Sequence, residues 1–169
     1  LISIHRLVWR LYAFLGRGYF LSCFIREIPE CRALLESRFG WDLATTKDFV
    51  TYEDCGVAIP RGTDEEQDQF IFAGSVFEAE GQYHIFYTGY NRDYPALGKP
   101  SQVLMHAYSD DLVTWHKTQD ALTFTPQEGY DPDDWRDPWV IRDEENDQYL
   151  LCLRSKTCRD RNKTDRKNC

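Results

Sequence analysis

Trp135-Arg136-Asp137-Pro138 sets a guanidinium beside a carboxylate, with an indole before them and a proline after. An ionised aspartate accepts hydrogen bonds from vicinal hydroxyls, and a neighbouring arginine keeps it ionised. With a flat apolar ring alongside, that combination suits sugar chemistry. Trp139-Val140-Ile141 follows, then a charged turn from Arg142 to Asp147, then Tyr149-Leu150-Leu151-Cys152-Leu153. This order predicts a hairpin whose first strand starts at the tetrapeptide. The plainer reading of the same residues is a strand cap with a surface ion pair.

Other residue types that could do chemistry fall into no working pattern. The six cysteines include no CxxC pair, and the four histidines are scattered. Buried or incidental thiols are expected, with no metal and no cofactor. Asp131, Asp133 and Asp134 lack the ligand spacing of a calcium loop and read as a solvated loop. Asn162-Lys163-Thr164 is a glycosylation sequon, which acts only in a secreted host.

The elements that must position these residues show themselves as a repeat. Ala44-Thr45-Thr46-Lys47-Asp48-Phe49-Val50-Thr51-Tyr52 matches Ala107-Tyr108-Ser109-Asp110-Asp111-Leu112-Val113-Thr114-Trp115 at an offset of 63 residues. The same offset carries Gly18 onto Gly81, Phe20 onto Tyr83, Cys23 onto Phe86 and Phe24 onto Tyr87. Gln148-Tyr149-Leu150-Leu151-Cys152-Leu153 repeats Gln82-Tyr83-His84-Ile85-Phe86-Tyr87 after 66 residues. Each unit is a hairpin, a loop and a small-polar-acidic-apolar strand ending in an aromatic. Repetition of a strand-rich unit predicts blades of a β-propeller, with longer loops than the usual blade of roughly 40–50 residues.

The 169 residues hold about two and a half units, whereas a propeller has at least about four blades. The chain begins at Leu1 and stops at Cys169, so it reads as an N-terminal or internal segment of a longer enzyme. The expected organisation is an N-terminal segment of undetermined structure over 1–17, propeller blades over 18–153, and a basic loop or truncated blade end over 154–169. Ile4, Leu7, Val8, Leu11 and Leu15 recur at helical spacing, but the repeat makes residues 18–25 a strand. Arginines interrupt residues 1–26 too often for a membrane span, and no cleavage-like run of small residues marks a signal peptide, so the compartment stays open. Net charge is +4 over residues 1–26 and +5 over 154–169; the total of −8 leaves −17 for residues 27–153. So acidic a body argues against a nucleic-acid groove and accommodates a neutral glycan.

Six motifs in order carry a family resemblance. They are Trp41 with Ala44 to Asp54, Gly56-Val57-Ala58-Ile59-Pro60, Phe72-Ala73-Gly74-Ser75, Phe86-Tyr87-Thr88-Gly89, Ser109-Asp110-Asp111-Leu112 with Trp115, and Trp135-Arg136-Asp137-Pro138. Together, over residues 41–153, they resemble glycoside hydrolase family 32, the invertases, fructanases and sucrose-6-phosphate hydrolases. Families 43 and 68 share the propeller and are the nearest confusions. The resemblance implies an all-β fold, part of a five-bladed β-propeller, here two to three blades of antiparallel strands. It implies retaining hydrolysis of β-fructofuranosides, with sucrose or a fructose-containing oligosaccharide as partner. Retention uses a nucleophile and an acid/base carboxyl only about 5 Å apart. Asp137 matches a third carboxylate, the transition-state stabiliser, with Arg136 beside it. Phe72 and Ser75 match residues lining the sugar pocket, Trp41 a pocket-edge aromatic, and Trp135, beside the stabiliser, is expected to bind substrate. For Phe72, Ser75 and Trp41 a purely structural role stays open, and Phe86, Tyr87 and Trp115 read as packing.

The departures from the family pattern matter as much. The nucleophile is expected in an Asp-Pro setting on the first strand of the first blade, yet no Asp or Glu precedes Glu27. By the 63-residue offset, Gly74 and Ser75 fall back onto Leu11 and Tyr12. The acid/base, a Glu before a Cys, is expected well after Asp137, but no Glu follows Glu145. One of three catalytic carboxylates is therefore identifiable, and a catalytically incomplete segment is expected. The rivals are a non-catalytic sugar-binding or interaction propeller and a family 43-like arabinosidase or xylosidase. Open blade edges carry an expectation of self-association.

Overall fold

The computed structural model describes residues 12–16, 19–24, 40–48, 50–118 and 122–158, the first two as backbone only. Among the described residues, ten strands form three antiparallel sheets. Blade I is β1 (Tyr12–Gly16), β2 (Tyr19–Phe24), β3 (Trp41–Thr46) and β4 (Glu53–Ile59). Blade II is β5 (Phe70–Ala79), β6 (Gln82–Tyr90), β7 (Gln102–Ser109) and β8 (His116–Lys117). Blade III holds β9 (Tyr130–Asp143) and β10 (Gln148–Thr157). First strands neighbour first strands: β1 lies beside β5, and β9 lies against β5, β6 and β7.

The 63-residue repeat is a repeat of register. Tyr12 pairs with Cys23 as Ser75 pairs with Phe86. Phe20 pairs with Thr46 as Tyr83 pairs with Ser109, and Ala44 with Asp54 as Ala107 with Lys117. The acidic residue common to both copies closes the turn after the third strand. Asp48 Oδ1 accepts from the Val50 and Thr51 amides at 2.8 Å each. Asp111 Oδ1 accepts from Val113 and Thr114 at 2.8 and 2.7 Å. These backbone donors hold Asp48 down to about 2 and lower Asp111 as well, because they favour the charged form. The β5–β6 hairpin turns on Glu80 and Gly81, both at positive φ (52° and 80°), the signature of a two-residue turn that matches strand twist.

The core lies between the first two blades. Trp41, Leu43, Ala58 and Ile59 of blade I meet Ile71, Tyr83, Ile85, Tyr87, Ala107 and Leu112. Blade III covers the opposite face of blade II, where β9 lies against β5, β6 and β7 and Phe77 lies against Tyr149. A sheet covered on both faces cannot alternate apolar and polar residues, which explains the run Tyr83-His84-Ile85-Phe86-Tyr87 in β6. His84 and His106 share that second face. The Ala79 carbonyl can only accept, so His84 donates from Nε2 and accepts at Nδ1 from His106 Nε2, 3.1 Å away. Burial first, and His84 second, push His106 down to about 4, which leaves it neutral near pH 7.

Two sequence expectations change. The Trp135–Pro138 tetrapeptide lies in the middle of the fourteen-residue β9, not at its start. Asp131, Asp133 and Asp134 belong to β9 and not to a solvated loop; Asp131 and Asp134 are buried. The strand runs this far upstream because blade II supplies partners that a polar segment needs. β10 pairs with that longer β9 and continues to Thr157, into the segment read as a basic loop or truncated blade end. Of the remaining N-terminal expectations, 1–11 lies outside the described residues, whereas β1 occupies 12–16.

Candidate functional site

Asp137 sits at a break in the inner strand of blade III. β9 pairs Arg136 with Arg154 but Trp139 with Cys152, so β9 carries one residue more than β10 across this step. β5 does the same, pairing Ile71 with Gly89 and Gly74 with Tyr87. Each inner strand is thus bulged near the same repeat position, and bulges re-aim side chains. Pro138 suits the break because it has no N–H to lose from the ladder. Asp137 takes φ +57°, a left-handed conformation that disfavours L residues other than Asn and Asp. A strained residue held in place by its surroundings is a reason to look for function there.

The charge around it is balanced by opposite pairs. Arg136 Nε lies 3.2 Å from Asp134 Oδ1 and 3.9 Å from Asp137 Oδ2. Lys156 Nζ lies 3.0 Å from Asp134 Oδ2. The Asp134 side chain is 5% exposed and the Asp137 side chain 22%. Asp134 is therefore the buried counter-ion that holds Arg136, while Asp137 keeps access to solvent. The Asp134 oxygens meet the cations at ion-pair distance without a well-aligned hydrogen bond among the described residues.

Residues 31–164 match the family described as "Glycosyl hydrolases family 32 N-terminal domain". The chain belongs to glycoside hydrolase family 32. No curated protein matches it in sequence. Among solved structures it resembles fructan 1-exohydrolase IIa from Cichorium intybus (TM-score 0.66, 19% identity, 85% of this chain and 26% of that one). It also resembles sucrose-6-phosphate hydrolase from Lactobacillus gasseri (TM-score 0.66, 20% identity, 84% and 27%). A family 43 β-xylosidase/α-arabinofuranosidase from a compost microbial metagenome aligns at TM-score 0.58 and 15% identity, over 88% and 43%. The fold is thus a partial β-propeller of the glycoside hydrolase kind, and the chain spans about a quarter of the first relative's length.

In this family 32 chain the expected site residues divide into two groups. Arg136, Asp137 and Phe72 are partly exposed, and the Phe72 ring tilts against Tyr90 at 5.5 Å. Trp41, Ser75 and Trp135 are buried between blades. Trp41 is a strut and not a pocket edge: its indole N–H donates to the Phe72 carbonyl at 2.9 Å, fixing the strand that carries Phe72. Ser75 Oγ accepts from the Val140 amide at 3.1 Å. Trp135 donates its indole N–H to the Phe124 carbonyl at 3.1 Å and meets Tyr130 edge-on. Blade burial claims these three because each lies where one sheet faces the next.

Two residues at the site and one in the neighbouring core have roles that no motif shows. Thr88 lies in the quoted Phe86-Tyr87-Thr88-Gly89 motif, yet its role shows only once β9 packs on β6. Asp134, in an acidic run without calcium-loop spacing, is a buried partner of two cations. Asp68 is buried beneath β6, accepting from the Tyr87 hydroxyl at 3.2 Å and pairing with Lys117, and no motif marked it.

Proposed function

We propose that this chain is the fructose-recognising part of a hydrolase acting on β-fructofuranosides such as sucrose or fructans. Asp137 carries that reading: a solvent-reaching carboxylate beside Arg136, held at a strained bulge of an inner strand, in a chain of family 32. Asp137 accepts from two fructose hydroxyls, Arg136 pairs with it at 3.9 Å, and Phe72 lines the sugar pocket. The similar proteins named fructan exohydrolase and sucrose-6-phosphate hydrolase support the substrate class.

The segment binds without turning over. The register places Tyr12 where blade II has Ser75, and no carboxylate occurs before Glu27 to act as nucleophile. The test pairs a fructose titration with assays of fructose release from sucrose, inulin and levan. For a ligand of about a dozen heavy atoms at about −0.3 kcal/mol each, the dissociation constant is on the order of 1 mM. Saturable binding with no release is expected. Release that disappears in Asp137→Ala would show that another acid, such as Glu27 or Glu30, completes the site. Preference for xyloside or arabinoside over fructoside would favour the family 43-like reading that the xylosidase likeness leaves as second choice.

Blade III also explains the expected self-association. Trp139, Ile141 and Leu150 are 53%, 45% and 43% exposed on the face turned from blade II, and β10 pairs only with β9 among the described residues. Apolar surface beside an unpaired strand edge favours contact between copies. Sizing chromatography should show concentration-dependent assembly that Trp139→Lys reduces; a sharp monomer at all concentrations would refute the idea.

A further inference from the structure

Three backbone amides of β9 donate to side chains of blade II. Trp135 N–H reaches Gln102 Oε1 at 3.1 Å, Asp137 N–H reaches Thr88 Oγ1 at 2.9 Å, and Val140 N–H reaches Ser75 Oγ at 3.1 Å. The acceptors come from β7, β6 and β5 in turn, so one side chain per strand stands in for a missing β-ladder.

Thr88 differs from the other two. It is fully buried, and its hydroxyl also donates to the Ala73 carbonyl at 3.1 Å. A hydroxyl has one proton to give, so the bond to Ala73 turns its lone pairs toward the Asp137 amide. Ala73 lies in the bulge of β5 beside Phe72, and Asp137 in the bulge of β9. One oxygen therefore ties the two irregular points of the neighbouring inner strands. The β-branched Thr88 side chain is stiff at χ1, which fixes that oxygen in place.

We propose that Thr88 is a positioning residue: the relay from Ala73 through its hydroxyl holds Asp137 in its left-handed conformation and so aims the carboxylate at the sugar. The role rests on the reading of Asp137 as the fructose-binding carboxylate. Without the relay, Asp137 relaxes toward an extended backbone, which swings its side chain away from Arg136 and from the sugar.

The test compares Thr88→Val, which keeps the shape and removes the hydroxyl, with Thr88→Ser, which keeps the hydroxyl. Both are made in the 169-residue chain, with amide hydrogen exchange read by NMR and fructose titrated alongside. Thr88→Val should speed exchange at the Asp137 amide by about tenfold or more, beyond any change at Trp135 and Val140. It should weaken fructose by about tenfold, the effect of a misaligned recognition group. Thr88→Ser keeps the hydroxyl but loses the β-branch, so it should fall much closer to the wild type than to Thr88→Val in both. Unchanged Asp137 exchange in Thr88→Val, an equal rise at all three amides, or a serine variant that behaves like the valine variant would each overturn the relay. A wild-type chain that binds no fructose would instead overturn the sugar reading, with the exchange measurements still deciding whether the relay exists.

Discussion

Asp137→Asn is expected to leave the fold intact and eliminate fructose binding. Asparagine has nearly the same shape and tolerates the left-handed conformation (φ +57°) that Asp137 adopts. What it loses is charge. A hydrogen bond to a charged group contributes about 1.5–3 kcal/mol, so the change costs at least about tenfold in affinity per lost bond. From a dissociation constant near 1 mM, loss of the bonds to both hydroxyls weakens binding about a hundredfold, which is beyond ordinary titration. Asp137→Ala loses the same charge but places a non-Asx side chain in the left-handed region, at about 1–2 kcal/mol. At roughly 2–4 °C per kcal/mol for a chain of this size, alanine should melt several degrees below asparagine. Comparing Asn with Ala isolates the backbone term, because both lack the ion pair with Arg136. Fructose binding retained in Asp137→Asn would end the proposed role, and equal melting of the two variants would show that the positive φ carries no strain.

The strain and the chemistry were not equally legible in the sequence. The repeat was: its 63-residue offset recurs as register in each strand pairing of blades I and II, and between the third and fourth strands that register follows the local turns closed by Asp48 and Asp111. Asp137 was legible as a chemical group through its neighbours in the motif. Its conformation was not, because the bulge and the positive φ are imposed by a different blade. The same cause hid the upstream half of β9. Asp131, Pro132, Asp133 and Asp134 look like a loop until Ser101 donates to Asp133 at 2.6 Å and Gln102 receives the Trp135 amide. Trp41 and Trp135 show the converse error. An aromatic beside a motif suggests a sugar platform, whereas the facing sheet decides whether its ring is exposed or buried.

Gly74→Ala is expected to be the most damaging single methyl in the described structure. A Cβ at Gly74 would clash with the Phe86 carbonyl oxygen and lie 2.9 Å from both Cα and Cβ of Tyr87. The first two of these atoms are backbone, so no rotamer change relieves the contact. Tyr87 cannot retreat either, since it is fully buried and its hydroxyl bonds to Asp68. β5 would have to part from β6 where Gly74 pairs with Tyr87. That movement would also pull Ser75 from Val140 and Ala73 from Thr88, loosening the seam between blades II and III. Overpacking of a tight core costs about 1–3 kcal/mol before such secondary losses, and whole domains have only about 5–15 kcal/mol to lose. Gly81→Ala is the control: nothing lies within 4 Å of a Cβ there, but φ is +80°. It therefore meets only backbone strain, about 1–2 kcal/mol. Urea midpoints should fall further for Gly74→Ala than for Gly81→Ala, or the former should fail to fold while the latter stays soluble. The reverse order would mean that the inner strand of blade II can shift at its bulge, and the rigid seam that aims Asp137 would then be lost with it.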